Sequence, residues 1–122
     1  MSHVQTISGP VDSGALGWAL SHEHLTSGMG GVERIPGLYD EDEVFRRCMD
    51  ALKRAYDAGI RTIIDCTPLD LGRQPALFER LAEASPIHIV GATGVYRWVP
   101  LTYYTWTADT LAEQLLRDNQ ES

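Results

Sequence analysis

Three apolar, β-branched segments alternate with three amphipathic segments along the chain, and this alternation constrains the fold more than any other feature. A strand followed by a helix, repeated in this way, predicts an α/β protein with a parallel sheet and right-handed crossovers. The predicted strands are Gly17–His24, Ile60–Thr67 and Ile87–Thr93, and the predicted helices are Asp40–Ala58, Pro75–Ala84 and Ala108–Asp118.

The first predicted helix carries the clearest local signals. Asp40 can cap its N-terminus, with Glu43 three residues later as in a capping box, and Gly59 supplies a C-terminal stop. Apolar residues recur at intervals of three and four and form a stripe that needs a sheet to pack on. In the last helix, we expect Leu111, Leu115 and Leu116 to face inward.

The segment before the first strand, Val4–Leu16, combines β-prone residues with turn-forming glycine, proline and serine. This pattern predicts a short N-terminal β-hairpin that lies outside the main fold. The predicted loops between the main elements span residues 26–39, 68–73 and 94–106.

Two architectures fit this order: an open, doubly wound sheet, or the beginning of a (β/α)8 barrel. A dinucleotide-binding sheet needs a GxGxxG turn between the first strand and its helix. The run Gly28-Met29-Gly30-Gly31 lacks that spacing, and we interpret it as a flexible loop. A barrel has eight βα units in about 250 residues, and this chain of 122 residues supplies three. Periodicity alone does not choose between the two.

Charge and composition argue against nucleic acid and membranes as partners, and they leave a small-molecule substrate open. A net charge of −7, a pI near 4.9 and the lack of a Lys/Arg cluster argue against nucleic acid. No segment approaches the ~20 apolar residues that span a bilayer, and residues Met1 to Leu20 lack a signal-peptide pattern. Cys48 and Cys66 fall inside predicted elements, which indicates reduced thiols in a cytoplasmic protein.

His22 and His24 are separated by one residue near the end of the first predicted strand. Because side chains alternate along a strand, both imidazoles are expected on one face, with Glu23 on the other. Two neutral imidazoles so placed can bind one divalent metal through N–metal bonds of ~2.0 Å. An HxH pair also occurs by chance, so the spacing alone does not establish a metal site.

Several motifs in collinear order resemble the phosphotriesterase family. They are VQTISGP from Val4, LSHEHL from Leu20, AGIRTIIDCT from Ala58, DLGR from Asp70 and HIVGATGVY from His88, and the similarity runs from about Val4 to Leu101. That family belongs to the amidohydrolase superfamily of TIM barrels. The resemblance implies that residues 1–122 are the N-terminal portion of such a barrel, with about three βα units preceded by a hairpin.

The resemblance also implies a metal site. In the family, the HxH pair binds one of two divalent metals, usually zinc, and the pair of metals activates a water for hydrolysis; here that pair is His22 and His24. The remaining ligands come from the fourth, fifth, sixth and eighth strands and have no counterpart among the three βα units of residues 1–122. The lysine candidate, Lys53, lies mid-helix and is not expected to be a ligand. We therefore expect an incomplete site and a chain that is inactive alone.

Four further residues are site candidates. In family members, an aromatic at the position of Tyr96 lines the substrate pocket. Tyr96 and Trp98 could enclose an apolar leaving group of the substrate, or they could simply pack their loop. Asp65 could hydrogen-bond near the metals or stabilise a loop, and Arg73 could pair with a carboxylate or contact substrate. His88 starts its strand, and we interpret it as structural.

Three functions stay open from the sequence. The first is a metal-dependent hydrolase of lactones, esters or organophosphate esters, represented by its N-terminal portion. The second is a non-catalytic stub that binds or forms homo-oligomers, because an open sheet leaves unpaired strand edges. The third is another metal-dependent barrel hydrolase with an HxH pair, which the collinear motifs disfavour.

Overall fold

The computed structural model describes residues 2–28 and 30–120, with the side chains of residues 119 and 120 excepted, and shows a mixed α/β fold. Its strands are β1 His3–Thr6, β2 Gly9–Asp12, β3 Trp18–Glu23, β4 Ile60–Asp65 and β5 His88–Val90. Its helices are α1 Glu41–Asp57, α2 Pro75–Ala84 and α3 Ala108–Gln120, and short 3-10 turns lie at Ser13–Ala15, Val32–Arg34, Leu69–Leu71 and Leu101–Thr105.

The main sheet has the order β3-β4-β5, and both pairs of strands are parallel. The predicted alternation of strand and helix is therefore confirmed. The sheet is open, with β3 and β5 at its edges, and the described residues form no closed barrel. Within that described part, no helix is both long enough and apolar enough to cross a membrane.

The core lies between the sheet and two helices, because α1 packs on β4, α2 packs on β5, and α1 contacts α2. The Asp40 carboxylate accepts a hydrogen bond from the Glu43 backbone at 3.0 Å, which confirms the predicted N-cap. Gly59 follows the helix at φ +97°, a conformation that favours glycine. The buried apolar residues are Cys48, Leu52, Ile63, Leu77, Phe78, Leu81, Ile87 and Ile89.

The N-terminal hairpin forms as predicted but does not lie outside the main fold. Its two strands pair antiparallel, with Val4 opposite Val11. The Ile7 backbone N–H in the turn donates to the Ile89 carbonyl at 2.8 Å, and the Ile7 side chain packs against the core. The prediction was wrong on this point because edge strand β5 offers a free carbonyl and an apolar neighbour to the turn.

Several element boundaries differ from the sequence prediction, and β4 ends at Asp65 instead of Thr67. β3 ends at Glu23, so His24 begins the following loop, and β5 is limited to His88–Val90. In α3, Leu111 and Leu115 are half-buried, but Leu116 is 64% exposed, so the inward orientation predicted for Leu116 was wrong. Leu111 and Leu115 share a face at a four-residue interval, whereas Leu116 is turned away by about 100°.

Candidate metal site at the carboxyl end of the sheet

The carboxyl ends of β3, β4 and β5 lie at one edge of the parallel sheet, and the loops that follow them carry the site candidates. The register between β3 and β4 shifts just before this edge, since Leu20 lies opposite Ile63 while Glu23 lies opposite Asp65. The step from one pair to the next is three residues in β3 but two residues in β4. Such an irregularity redirects side chains at a strand end, and here it falls immediately before His24.

The structure brings the imidazoles of His22 and His24 together. Their ring centroids are 5.4 Å apart with an interplanar angle of 72°, and both residues are exposed. Glu23, between them, is half-buried, and both Glu23 and His24 line a cavity of about 650 Å³ between β3, α1 and the loop that follows β3. The two imidazole rings therefore lie side by side and are open to solvent.

The His24 ring is hydrogen-bonded to a buried hydroxyl group. Its Nδ1 lies 2.9 Å from the Thr67 hydroxyl, and that hydroxyl donates to the Thr26 carbonyl at 3.0 Å. Thr67 is fully buried, two residues after the end of β4. The sequence analysis missed Thr67 because no local pattern pairs it with a histidine 43 residues away.

Asp65 orders the backbone beside the histidine pair. Its carboxylate accepts the Leu25 N–H at 2.6 Å and the Thr67 N–H at 2.8 Å, and the residue is fully buried. These contacts correspond to the loop-stabilising alternative of the sequence analysis. Because Leu25 directly follows His24, this carboxylate restrains the backbone next to the His24 side chain.

Arg73 joins three segments at the same end of the sheet. Its guanidinium donates to the Ala92 carbonyl at 2.6 Å and to the Asp118 carboxylate of α3 at 2.5 Å, and Asp118 also accepts the Thr93 hydroxyl at 2.6 Å. Burial alone would raise the pKa of Asp118, but the hydrogen bonds from Arg73 and Thr93 hold it below its usual value. Arg73 thus pairs with a carboxylate and anchors α3.

Tyr96 and Trp98 lie in a loop held by a carboxylate that the sequence analysis did not single out. Asp70 accepts the backbone N–H groups of Tyr96, Arg97 and Trp98 at 2.7, 2.6 and 2.8 Å. Burial alone would raise the Asp70 pKa, but these three donors hold it below the usual value of a carboxyl. Three successive N–H groups form an anion-binding nest, and here the protein's own carboxylate fills it.

The aromatic side chains of this loop point into solvent. Tyr96 is 71% exposed and Trp98 is 55% exposed, and neither lines the cavity that His24 borders. The Gly28 N–H donates to the Leu71 carbonyl at 3.0 Å, which fastens the loop after β3 to the loop after β4. The loops after β3, β4 and β5 are therefore linked through residues 69–73. The side chains of Tyr96 and Trp98 lie at the outer edge of these loops.

The donor set fits part of a divalent metal site. Two neutral imidazoles suit zinc and similar cations, but a catalytic zinc normally has three protein ligands and an open position. Across residues 2–28 and 30–120, no group of three or more His, Cys, Asp or Glu side chains is arranged to hold a metal. His22 and His24 can thus contribute to a site without completing it.

Sequence comparison identifies the family. A profile of the phosphotriesterase family matches residues 2–120. The chain belongs to this family. This confirms the resemblance in the sequence motifs, and membership of the phosphotriesterase family supports a metal-dependent hydrolase at the family level.

Relatives within the phosphotriesterase family are longer. An aryldialkylphosphatase of Saccharolobus solfataricus is 35% identical over 114 residues, which cover 91% of this chain and 36% of that protein. A phosphotriesterase homology protein of Mycobacterium tuberculosis is 32% identical over 106 residues, which cover 85% of this chain and 32% of the relative. The chain therefore spans about a third of the length of these curated relatives.

Proposed function

We propose that this chain carries the first metal-ligand pair of a phosphotriesterase-type hydrolase that cleaves ester, lactone or phosphotriester bonds. We further propose that it represents the N-terminal portion of a (β/α)8 barrel, since its parallel sheet is open at both edges. Catalytic groups of such barrels lie at the carboxyl ends of the strands. The observation that carries the proposal is the exposed pair His22 and His24 at that end, 5.4 Å apart between ring centroids.

We propose a role for each site residue from its position in the structure and from the family. His22 and His24 would hold a divalent metal, zinc by analogy with the family, and a metal bound there supplies a water of lowered pKa as nucleophile. Asp65, Thr67 and Arg73 keep the surrounding loops in place. Tyr96 and Trp98, exposed at the loop margin, would contact the apolar part of a small-molecule substrate.

The name of the aryldialkylphosphatase relative favours a phosphotriester among the three substrate classes. We propose a reducing compartment such as the cytoplasm, because Cys48 and Cys66 are both free thiols. Nucleic acid is not among the proposed partners, given the net charge of −7.

Metal binding by the purified chain tests the assignment of the ligands. Binding of Zn²⁺ or Co²⁺ is measured by competition with a chromophoric chelator. We expect the affinity to fall by about tenfold or more in both His22→Ala and His24→Ala. His3→Ala is the matched control, because His3 is an exposed histidine on β1, outside the main sheet. Equal affinity in the wild type and in both site variants would overturn the assignment.

Turnover is tested separately with an aryl phosphotriester, an aryl ester and a lactone. We expect the metal-loaded chain alone to give no turnover, because two imidazoles do not complete a catalytic metal site. Hydrolysis by the isolated chain that is undiminished in His22→Ala would contradict both the proposed ligands and the proposed dependence on further residues.

A further inference from the structure

The hydrogen bonds around Thr67 define which nitrogen of His24 carries a proton. A neutral imidazole donates from one ring nitrogen and accepts at the other, so a bond to Nδ1 alone is compatible with either tautomer. The Thr67 hydroxyl has a single hydrogen, and its two partners are His24 Nδ1 at 2.9 Å and the Thr26 carbonyl at 3.0 Å. A carbonyl cannot donate, so the hydroxyl hydrogen goes to Thr26.

The hydroxyl oxygen then faces His24 Nδ1 with a lone pair, and Nδ1 must supply the hydrogen. Nε2 is left with its lone pair, and no group within the described residues hydrogen-bonds that nitrogen. We propose that Thr67 is a positioning residue that fixes His24 as the Nδ1–H tautomer and aims Nε2 outward as a metal donor. This inference rests on the proposed metal-binding function of His24.

The position of Thr67 is itself fixed by Asp65. One carboxylate oxygen accepts the Thr67 N–H at 2.8 Å and the other accepts the Leu25 N–H at 2.6 Å. A single buried carboxylate thus holds the residue that follows His24 together with the residue that bonds its ring. This bridge therefore connects the segment that carries the imidazole to the segment that carries the hydroxyl.

His22 lacks such support. Its ring contacts the His24 ring edge-on, and no hydrogen bond to its nitrogens arises from the described part of the chain. The two donors are therefore unequal, since His24 is preorganised for a cation and His22 is free to adjust. Partners that orient a metal-binding imidazole typically change metal affinity by about 10–100-fold when they are removed.

The test measures the tautomer directly in the metal-free chain. Long-range ¹H–¹⁵N correlation at about pH 8, above the ordinary histidine pKa of about 6.5, distinguishes a protonated Nδ1 from a protonated Nε2. We expect His24 to be the Nδ1–H form in the wild type and in Thr67→Ser, which keeps the hydroxyl. Thr67→Val keeps the shape but removes the hydroxyl, and its His24 should shift towards the Nε2–H form.

Zinc affinity provides the second measurement. Thr67→Val should bind Zn²⁺ about 10–100-fold more weakly, and Thr67→Ser should bind as the wild type does. An Nε2–H tautomer in the wild type would overturn the inference whether or not any variant folds. An unchanged tautomer and an unchanged zinc affinity in a folded Thr67→Val would also overturn it.

The two proposals fail in different ways. An Nδ1–H tautomer that depends on the Thr67 hydroxyl, in a chain that binds no zinc, would support the positioning role and contradict the proposed metal site. Zinc binding that requires His22 and His24 but is indifferent to Thr67→Val would support the metal site and reject the positioning role.

Discussion

At the scale of single residues, the site depends on polar side chains that are fully buried. Asp65 and Thr67 have no exposure to solvent, yet their polar atoms are paired with backbone groups of the loops that follow β3 and β4. A buried polar group that loses its partner costs about 1–3 kcal/mol. These residues therefore contribute to stability as well as to the placement of His24.

Asp65→Asn tests the contribution of the buried carboxylate to stability. The amide has one acceptor oxygen, so either the Leu25 N–H or the Thr67 N–H faces an NH₂ group. We expect a loss of about 1–3 kcal/mol in the free energy of unfolding, measured by urea denaturation. Asp50→Asn, on the exposed face of α1, is the control and should stay within about 0.5 kcal/mol of the wild type. A similar small effect in Asp65→Asn would argue against the bridge.

At the scale of elements, the loops after the three strands are coupled through the segment between β4 and α2. Asp70 holds the backbone of Tyr96, Arg97 and Trp98, and Arg73 holds Ala92 and Asp118. Loops that carry function are usually mobile. Here, charge-assisted hydrogen bonds from one loop restrain the aromatic loop beside the histidine pair.

The nest around Asp70 makes the order of the aromatic loop dependent on pH. Because the folded-state pKa of Asp70 is lowered, its stabilisation is complete above the ordinary value of about 3.9 and is lost as the pH falls through the folded-state value. Amide exchange at residues 96–98 should therefore show protection that decreases in acid. The loss is expected below about pH 4.

Asp70→Asn should remove this pH dependence and raise the exchange rates of the same amides at neutral pH. The amide side chain carries no charge and cannot accept three N–H groups as a carboxylate does. Glu79→Gln, on the exposed surface of α2, serves as the control variant. Identical exchange in Asp70→Asn and in the wild type would show that the nest does not order the loop.

At the scale of the whole molecule, the open sheet leaves strand edges and apolar side chains accessible. Trp18 on edge strand β3 is 79% exposed, and Leu101 and Tyr104 after β5 are 85% and 76% exposed. Unpaired N–H and C=O groups beside exposed apolar residues favour association between chains. The possible homo-oligomer of the sequence analysis stays a proposal on these grounds.

We expect the purified chain to self-associate as its concentration rises, with a larger apparent mass by sedimentation velocity. Trp18→Lys should reduce association, because a charge on an edge strand opposes pairing between edges. Leu116→Lys is the control, since Leu116 is 64% exposed on α3 and outside the sheet. A monomer at every concentration, or an equal effect of both substitutions, would count against edge-mediated association.

The sequence by itself determined the features that depend on neighbours along the chain. The apolar periods fixed the alternation of strand and helix, Asp40 and Gly59 marked the ends of α1, and the HxH spacing put two imidazoles side by side. The collinear motifs identified the family. Apart from these motifs, each of these signals lies within one segment, where the residues are neighbours along the chain.

Tertiary structure decided which distant groups meet. Thr67 lies 43 residues from His24, and Asp70 lies 26 to 28 residues from the amides it binds. The contact of Ile7 with Ile89 depended likewise on a free carbonyl at the edge of the sheet. Such pairs form because parallel strands bring their carboxyl ends and loops together, and no local pattern specifies which polar atoms then face each other.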